Sequence, residues 1–391
     1  MLLSVKEESD PTGGLILTGG GARAAYQVGV LKAFAERLGN TDSNPFPVIT
    51  GTSAGSINAA LLAANAQSFK TGVNNLVGLW ENLTVDRIFR TDVMTMLGTS
   101  FRWFRWLLLG RRPDHAPRSM LDSSPLQRLL EKNVNFSKIQ EAIDCGALHA
   151  LGITASGYTS ARSVTFFQGR HGLVSWSRTR RDGRMANVEL EHIMASAAIP
   201  LIFPAERIGP EYFGDGSMRQ AAPLSPAIHL GADRLLVIGV RNEDPNILPP
   251  DTIDPGHPSF GQIIGYVLDT LFMDALYTDV ERLRRINSLL TEVNENRFSK
   301  SSSSLRPIDI SIIVPSEDIR AIATRYIKRF PRTVRNLLRI LGAKNDSSNQ
   351  LISYLMFDGM YCQELIELGY HDGMQNVQVL DRYLAGLGQS S

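Results

Sequence analysis

The stretch from Leu15 to Leu31 reads LILTGGGARAAYQVGVL and joins a short apolar run to a helical pattern through three glycines. Leu15–Leu17 predicts a short buried strand, and from Ala22 to about Leu38 the apolar side chains recur at helical spacing. A glycine turn between a strand and a helix can cradle the pyrophosphate of a dinucleotide. It can also offer backbone N–H groups to an oxyanion. The rest of the chain has to decide between these two functions.

A second unit of the same kind follows, in which the strand and glycine turn VITGTSAGS (48–56) lead into the helical segment INAALLAANAQ (57–67). Two strand–turn–helix units in succession predict a parallel α/β sheet. Later apolar runs predict further strands, among them SVTFFQG (163–169), RLLVIGV (234–240) and IDISIIVPS (308–316). The arginine-rich segment RTRRDGR (178–184) is predicted to be a loop.

Composition describes an ordinary globular protein of 391 residues, of which 43% are hydrophobic and 20% charged. The formal net charge of +1 provides no overall field that would attract nucleic acid, so no nucleic-acid partner is predicted. Two distant cysteines, Cys145 and Cys362, do not form a disulfide framework. The sequence has no signal-peptide pattern and no run of 18 apolar residues, so we expect a cytoplasmic protein.

The dinucleotide interpretation depends on Gly19, Gly21 and Ala24, which fit the pattern G-x-G-x-x-G/A after a strand. That fold also places an acidic residue about twenty positions later, at the end of a second strand, to hold the ribose. Asp42 has roughly this spacing, but it lies in GNTDSNPFP (39–47), which has the composition of a loop. The pattern therefore gives weak support for an oxidoreductase.

The segment GTSAG (51–55) has the form G-x-S-x-G between a strand and a helix. Small flanking residues permit the sharp turn that exposes a serine hydroxyl, here that of Ser53, at a helix N-terminus. The helix dipole and free N–H groups at that position favour developing negative charge. A plain glycine–serine turn that caps a helix remains the alternative.

A nucleophilic serine requires a base, and none of the histidines that follow Ser53 lies in a recognisable catalytic turn. These histidines are His115, His149, His171, His192, His229, His257 and His371. Only two strands precede Ser53, which is early for a Ser–Asp–His hydrolase. Asp215 offers another base, because Gly214 and Gly216 permit a tight turn that can present its carboxylate. The alternative for Asp215 is an ordinary Asp-Gly turn.

Together, three segments resemble the patatin-like phospholipase family. They are GGGARA (19–24), GTSAG (51–55) and DGS (215–217), and ASAAIPLIFPA (195–205) is also similar. The resemblance covers roughly residues 13–240. Two small residues depart from the family pattern. Ala24 stands where the family usually has glycine, and Ser217 stands where it usually has glycine or alanine.

The resemblance implies a three-layer α/β fold with a mainly parallel sheet, helical C-terminal additions and the activity of a serine lipid acyl hydrolase. In it, Ser53 is the nucleophile, Asp215 is the base, and an oxyanion loop is formed by Gly19, Gly20, Gly21, Ala22 and Arg23. No metal or other cofactor is expected. Arg23 either braces this loop or meets a phosphate. A weakly active or regulatory lipid-binding protein is the alternative function, because Ala24 and Ser217 depart from the pattern.

The predicted hydrolase domain covers residues 13–320, with a helical insertion at about 255–300, and a helical region, 321–391, packs on it. The segment SFRWFRWLLLGRRP (100–113) places aromatic rings beside arginines on a short helix. This composition is typical of a bilayer interface, so residues 101–113 predict peripheral membrane contact by a protein whose partner is a lipid substrate. Packing on the core or at a subunit contact is the alternative, and the oligomeric state is left open.

Overall fold

The structure is a computed structural model that describes residues 12–90, 119, 121–241, 257, 260–295, 306–340 and 349–385. Within these residues, ten strands form one mixed sheet, as the sequence predicted for an α/β protein. The strands are β1 (Gly13–Leu17), β2 (Val48–Thr52), β3 (Ala150–Gly157), β4 (Ser163–Gly169), β5 (Trp176–Arg178), β6 (Arg181–Met185), β7 (Glu206–Ile208), β8 (Glu211–Asp215), β9 (Arg234–Ile238) and β10 (Asp309–Ile313).

The sheet has the order β10-β9-β1-β2-β3-β4-β6-β5. Its centre is parallel, since β10, β9, β1, β2 and β3 pair in parallel with their neighbours. β4 is antiparallel to β3. β8 adds to β3 as a short antiparallel strand and carries β7 on its other edge. Glycine-rich turns leave the carboxyl ends of both β1 and β2, so the two turns lie at the same edge of the sheet.

The helices are α1 (Ala25–Arg37), α2 (Ala54–Ala64), α3 (Phe69–Glu81), α4 (Val85–Ile88), α5 (Ser124–Asn133), α6 (Ser137–Asp144), α7 (Leu190–Ser196), α8 (Ser225–His229), α9 (Phe260–Glu295), α10 (Ile319–Arg325), α11 (Arg332–Ile340), α12 (Asn349–Leu355), α13 (Gly359–Gln375) and α14 (Val377–Ala385). They flank the sheet on both faces. Leu15 and Leu17 belong to the core under α1 and α2, whereas Ile16 belongs to the core under α8 and α9. This alternation is expected for a strand buried on both sides.

The C-terminal helices pack on the same core as the first helix. A Cβ at Gly29 of α1 would lie 2.0 Å from the carbonyl oxygen of Ile366, and one at Gly369 of α13 would lie 2.1 Å from that of Tyr26. These glycines therefore let α1 and α13 approach closely. The Tyr26 hydroxyl donates a 2.9 Å hydrogen bond to Asp372 across this contact. We propose that residues 13–320 and 321–391 form one folding unit.

One local prediction was wrong. The segment 178–184, expected to be a loop, contains the end of β5, a two-residue turn and the start of β6. Trp176 explains the hairpin, because its ring stacks on Phe167 with centroids 4.9 Å apart and also covers Gly183. Among the helices of the described part, none combines the length and the apolar character needed to cross a bilayer.

Candidate active site

Ser53 occupies a strained turn between β2 and α2, with φ 54° and ψ −131°. A positive φ is uncommon for a residue with a side chain. The flanking glycines make room for the turn, because a Cβ at Gly51 would lie 2.5 Å from the Gly55 carbonyl oxygen. A Cβ at Gly55 would lie 2.3 Å from the Leu17 carbonyl oxygen, so Gly55 also lets this turn approach the end of β1. The sharp turn between a strand and a helix is as the sequence predicted, but Ser53 is buried and not exposed.

A second serine, Ser196, stabilises this turn, although the sequence did not indicate a role for it. The Ser53 N–H donates to the Ser196 hydroxyl at 2.9 Å, and that hydroxyl donates to the Thr154 carbonyl at 2.7 Å. Ser196 lies in ASAAIPLIFPA (195–205), the stretch noted for its family likeness. Because the Ser53 N–H is already paired, it is not a donor for an oxyanion.

Strand pairing brings Asp215 close to Ser53. β2 pairs with β3 as far as Thr52 opposite Thr154. Beyond that point β8 takes the place of β2 on the same edge, with Asp215 opposite Ala155. The strand end that carries Ser53 and the strand end that carries Asp215 therefore meet along β3. The close approach needs a glycine at 216, where a Cβ would lie 2.1 Å from the Thr154 carbonyl oxygen.

The Asp215 carboxyl group is buried, with 1% of its surface exposed. Its Oδ1 accepts a 2.9 Å hydrogen bond from the Ser217 N–H. Its Oδ2 has no hydrogen-bond partner of normal geometry among the described residues. Burial raises the pKa of Asp215 to about 6, while the nearby Ser53 hydroxyl and Ser217 act in the opposite direction. A buried carboxylate oxygen beside a serine hydroxyl can accept its proton.

The glycine loop lies next to the serine turn and continues into a short 3₁₀ turn, Gly21–Ala24. Cβ atoms at Gly20 and Gly21 would lie 2.5 Å from the Val240 side chain and 2.3 Å from the Tyr354 carbonyl oxygen. Gly21 also has a φ of 56°. Glycine at these two positions therefore lets the loop pack closely against Val240 and Tyr354. The backbone N–H groups of Gly20 and Gly21 donate no hydrogen bond to another described residue.

Arg23 is buried beneath this loop, with 1% of its surface exposed. Its Nε donates to the Ser353 hydroxyl at 2.9 Å, and its guanidinium lies 3.9 Å from the centre of the Tyr354 ring. Both partners belong to α12. This placement favours the bracing role that the sequence left open for Arg23 over contact with a phosphate.

Three of the histidines considered as bases have other partners. The His192 Nδ1 accepts from the Glu189 N–H at 3.0 Å and caps α7. The His229 ring stacks on Trp176 with centroids 4.8 Å apart, and His371 pairs with Gln375 at the surface. His115 and the aromatic segment 101–113 lie outside the described residues.

Asp42, the acidic residue that a dinucleotide site requires, lies near the start of α3. It accepts hydrogen bonds from the Ser68 hydroxyl at 2.6 Å and from the Lys70 N–H at 2.8 Å. It does not follow a strand, so the geometry gives no support to ribose binding. Within the described part of the chain, no group of three His, Cys, Asp or Glu residues could hold a metal ion.

Two comparisons show which known proteins this chain is similar to. A curated relative, a cGAMP-activated phospholipase of Pseudomonas aeruginosa (strain BWHPSA011 / Pa011), is 25% identical over 309 residues, which cover 75% of this chain and 81% of the relative. The pattern of the family described as patatin-like phospholipase matches residues 15–228, a span that contains the glycine loop, the serine turn and the Asp215 turn. This chain belongs to the patatin-like phospholipase family.

Proposed function

We propose that the protein is a serine lipid acyl hydrolase that cleaves acyl esters of phospholipids through Ser53 and Asp215. The observation that carries the proposal is the meeting of the two residues along β3, with a buried carboxylate beside a serine in a strained turn. Membership of a phospholipase family supports lipid hydrolysis as the activity. The mechanism assigned to the residues is our own inference from their geometry and chemistry.

In the acylation step, the Ser53 hydroxyl attacks the ester carbonyl while Asp215 accepts its proton. The carbonyl oxygen becomes an oxyanion, which the N–H groups of the Gly19–Gly21 loop stabilise. The intermediate collapses, the alcohol leaves with the proton held by Asp215, and the acyl group stays on Ser53. Water then attacks the acyl-enzyme while Asp215 accepts its proton. As the fatty acid leaves, Asp215 returns that proton to the Ser53 oxygen. Arg23 contributes by fixing the loop.

The raised pKa of Asp215 predicts the pH dependence. Only the carboxylate accepts a proton, so kcat/KM on a soluble ester should fall about tenfold per pH unit below an apparent pKa of about 6 and level off above it. A pH–rate profile of the purified enzyme measures this. A rate that stays constant down to pH 4.5 would contradict this prediction, since it would show that no group with a raised pKa has to lose its proton before the reaction.

Activation by a ligand is a second feature that we infer. Ser53 has only 2% of its surface exposed, so a lipid ester must gain access to it through a change in the surrounding chain. The Pseudomonas relative is named for activation by cGAMP. The same ligand class is therefore our candidate for an activator of this chain. An opened state would expose Ser53 without altering the residues that react.

The test is release of fatty acid from phosphatidylglycerol vesicles by the purified protein, measured with and without cGAMP. Hydrolysis in either condition, together with labelling of Ser53 by a fluorophosphonate, is the expected result. No hydrolysis in either condition, with lipid still bound, would instead favour the weakly active or regulatory lipid-binding alternative. We also propose that residues 101–113 contact the membrane peripherally and that the protein works in the cytoplasm.

A further inference from the structure

A cleft of about 750 Å³ opens beside the turn that carries Asp215. Its described lining comes from the β5–β6 turn, the segment 217–222 after β8, α8 and α9. Ser217 belongs to this lining, and its N–H donates to Asp215 Oδ1. The cleft therefore begins two residues from the carboxylate that we propose as the base.

Four arginines line this cleft: Arg180, Arg181, Arg219 and Arg282. They come from three separate elements, so their convergence is a property of the fold and not of one basic run. Within the described part of the chain, none of their guanidinium groups forms a salt bridge or a side-chain hydrogen bond. Each of these fork-shaped cations can therefore donate to a phosphate in bidentate fashion.

Asp279 is the carboxylate among the described lining residues. Its Oδ2 accepts a 3.0 Å hydrogen bond from the Leu224 N–H, which ties α9 to the segment before α8. Burial raises the pKa of Asp279, and the Leu224 N–H and the nearby Arg181 and Arg282 act in the opposite direction. Among the described lining residues, one partly buried carboxylate faces four arginines, so this part of the lining is positively charged.

The walls of the cleft between these arginines are apolar. Leu224 and Ile228 form one side, and Leu283 and Ile286 of α9 form the other. A site of this kind suits a ligand that carries both a phosphate and apolar substituents. A bare inorganic anion would leave these apolar walls in contact with water.

The cleft also leads toward the glycine loop. Ser217, Gln220 and Ala275 line both the cleft and a smaller pocket, whose other residues include Thr18 and Gly19. A ligand with its phosphate among the arginines can therefore extend toward the loop that we propose binds the oxyanion. In a phospholipid, the phosphate and the acyl ester are separated by only a few bonds.

We propose that this arginine cleft binds the phosphodiester group of an amphipathic ligand. The inference that the ligand is the phospholipid substrate rests on the function proposed above; the phosphodiester site itself does not. The arginines hold the phosphate, the apolar walls cover the adjoining chain, and the ester is directed toward Ser53. The cleft would then give the enzyme a preference for phospholipids over neutral acylglycerols.

The first test compares two substrates, phosphatidylglycerol and diacylglycerol, in the same neutral detergent micelles. In the double variant Arg219→Gln, Arg282→Gln, the ratio of kcat/KM for phosphatidylglycerol to that for diacylglycerol should fall about tenfold or more, because charge-assisted hydrogen bonds to the phosphate are lost. Arg284→Gln is the matched control. This variant also removes one positive charge from α9. Because Arg284 lies two positions after Arg282, its side chain leaves the helix on roughly the opposite side.

The second test identifies the source of the phosphodiester. Glycerophosphoglycerol, the water-soluble phosphodiester without acyl chains, is titrated into the wild type, the double variant and Arg284→Gln by calorimetry. Weaker binding to the double variant only, with a lower substrate ratio, supports a lipid headgroup. Weaker binding with an unchanged ratio supports a soluble phosphodiester ligand.

An unchanged ratio, together with binding that is equal in all three proteins or absent from all, would overturn the proposal. If the wild type hydrolyses neither lipid, the proposed activity fails, and calorimetry still decides whether the cleft binds a phosphodiester. Melting curves of the three proteins check the fold. Arg219 and Arg282 are exposed, so their replacement should change the melting temperature little.

Discussion

Ser53→Ala is expected to lower kcat on phospholipid by at least about 10³-fold and to leave the fold intact, because the proposed acyl-enzyme cannot form without the hydroxyl. Alanine keeps the Cβ of serine, so the strained backbone at φ 54° is unchanged. The measurements are fatty-acid release and fluorophosphonate labelling, followed by mapping of the labelled peptide. The melting temperature should stay within a few degrees of the wild type.

The matched control for this variant is Ser56→Ala. The Ser56 hydroxyl donates to the Ser53 carbonyl within the first turn of α2, where it faces the backbone. We expect this variant to lose about 1 kcal/mol of stability at most, with activity within about threefold of the wild type. Fluorophosphonate labelling that persists at another serine in Ser53→Ala would show that a different residue is the nucleophile.

Asp215→Asn is expected to lower kcat by about 10²–10⁴-fold, because the nucleophile loses its base. The same change should stabilise the fold at pH 8. Since the pKa of about 6 lies above the unfolded value of 3.8, the native carboxyl binds its proton more tightly than the unfolded chain does. The contribution of Asp215 to the free energy of unfolding is therefore complete at low pH. As the pH rises through these two pKa values, this contribution is lost and the free energy of unfolding falls by up to about 3 kcal/mol.

Paired measurements of activity and melting temperature at pH 4.5 and pH 8 test Asp215→Asn. The variant should melt higher than the wild type at pH 8, with a smaller difference at pH 4.5, while its activity is low at both. A loss of activity with a lowered melting temperature at pH 8 would mean that the residue is structural. His371→Ala is the control, and a loss matching that of Asp215→Asn would favour a histidine base.

The parallel core of the fold was predictable because its signals are local. The apolar runs before Gly19 and Gly51 are short, end at glycine and are followed by helical spacing, so each unit carries its own pattern. The hairpin of β5 and β6 was not predictable in this way. Its strands are short and rich in arginine, and the apolar contact that stabilises it is the stacking of Trp176 on Phe167, a residue from β4.

Of the candidate site, the sequence predicted the three motifs and no further residue. Ser196, which pairs with the Ser53 N–H across 143 positions, has no pattern of its own in an apolar stretch. The glycines of the first loop were predicted from the oxyanion that they would bind. The structure adds a steric reason that depends on Val240 and Tyr354, which contact the loop from distant parts of the chain. Such contacts become visible only when the chain is folded.

One edge of β3 pairs first with β2 and then with β8. This pairing limits how sequences with this fold can diverge. Ser53 and Asp215 stand 162 positions apart, yet one hydrogen-bonded ladder sets their separation. Insertions in the connections between β2 and β8 can lengthen the chain without moving either group, as surface loops generally permit. A slip of β8 by one residue would turn Asp215 to the opposite face of the sheet. The number of residues between Ser53 and Asp215 can therefore change, whereas the register of β8 on β3 cannot change without separating the two side chains.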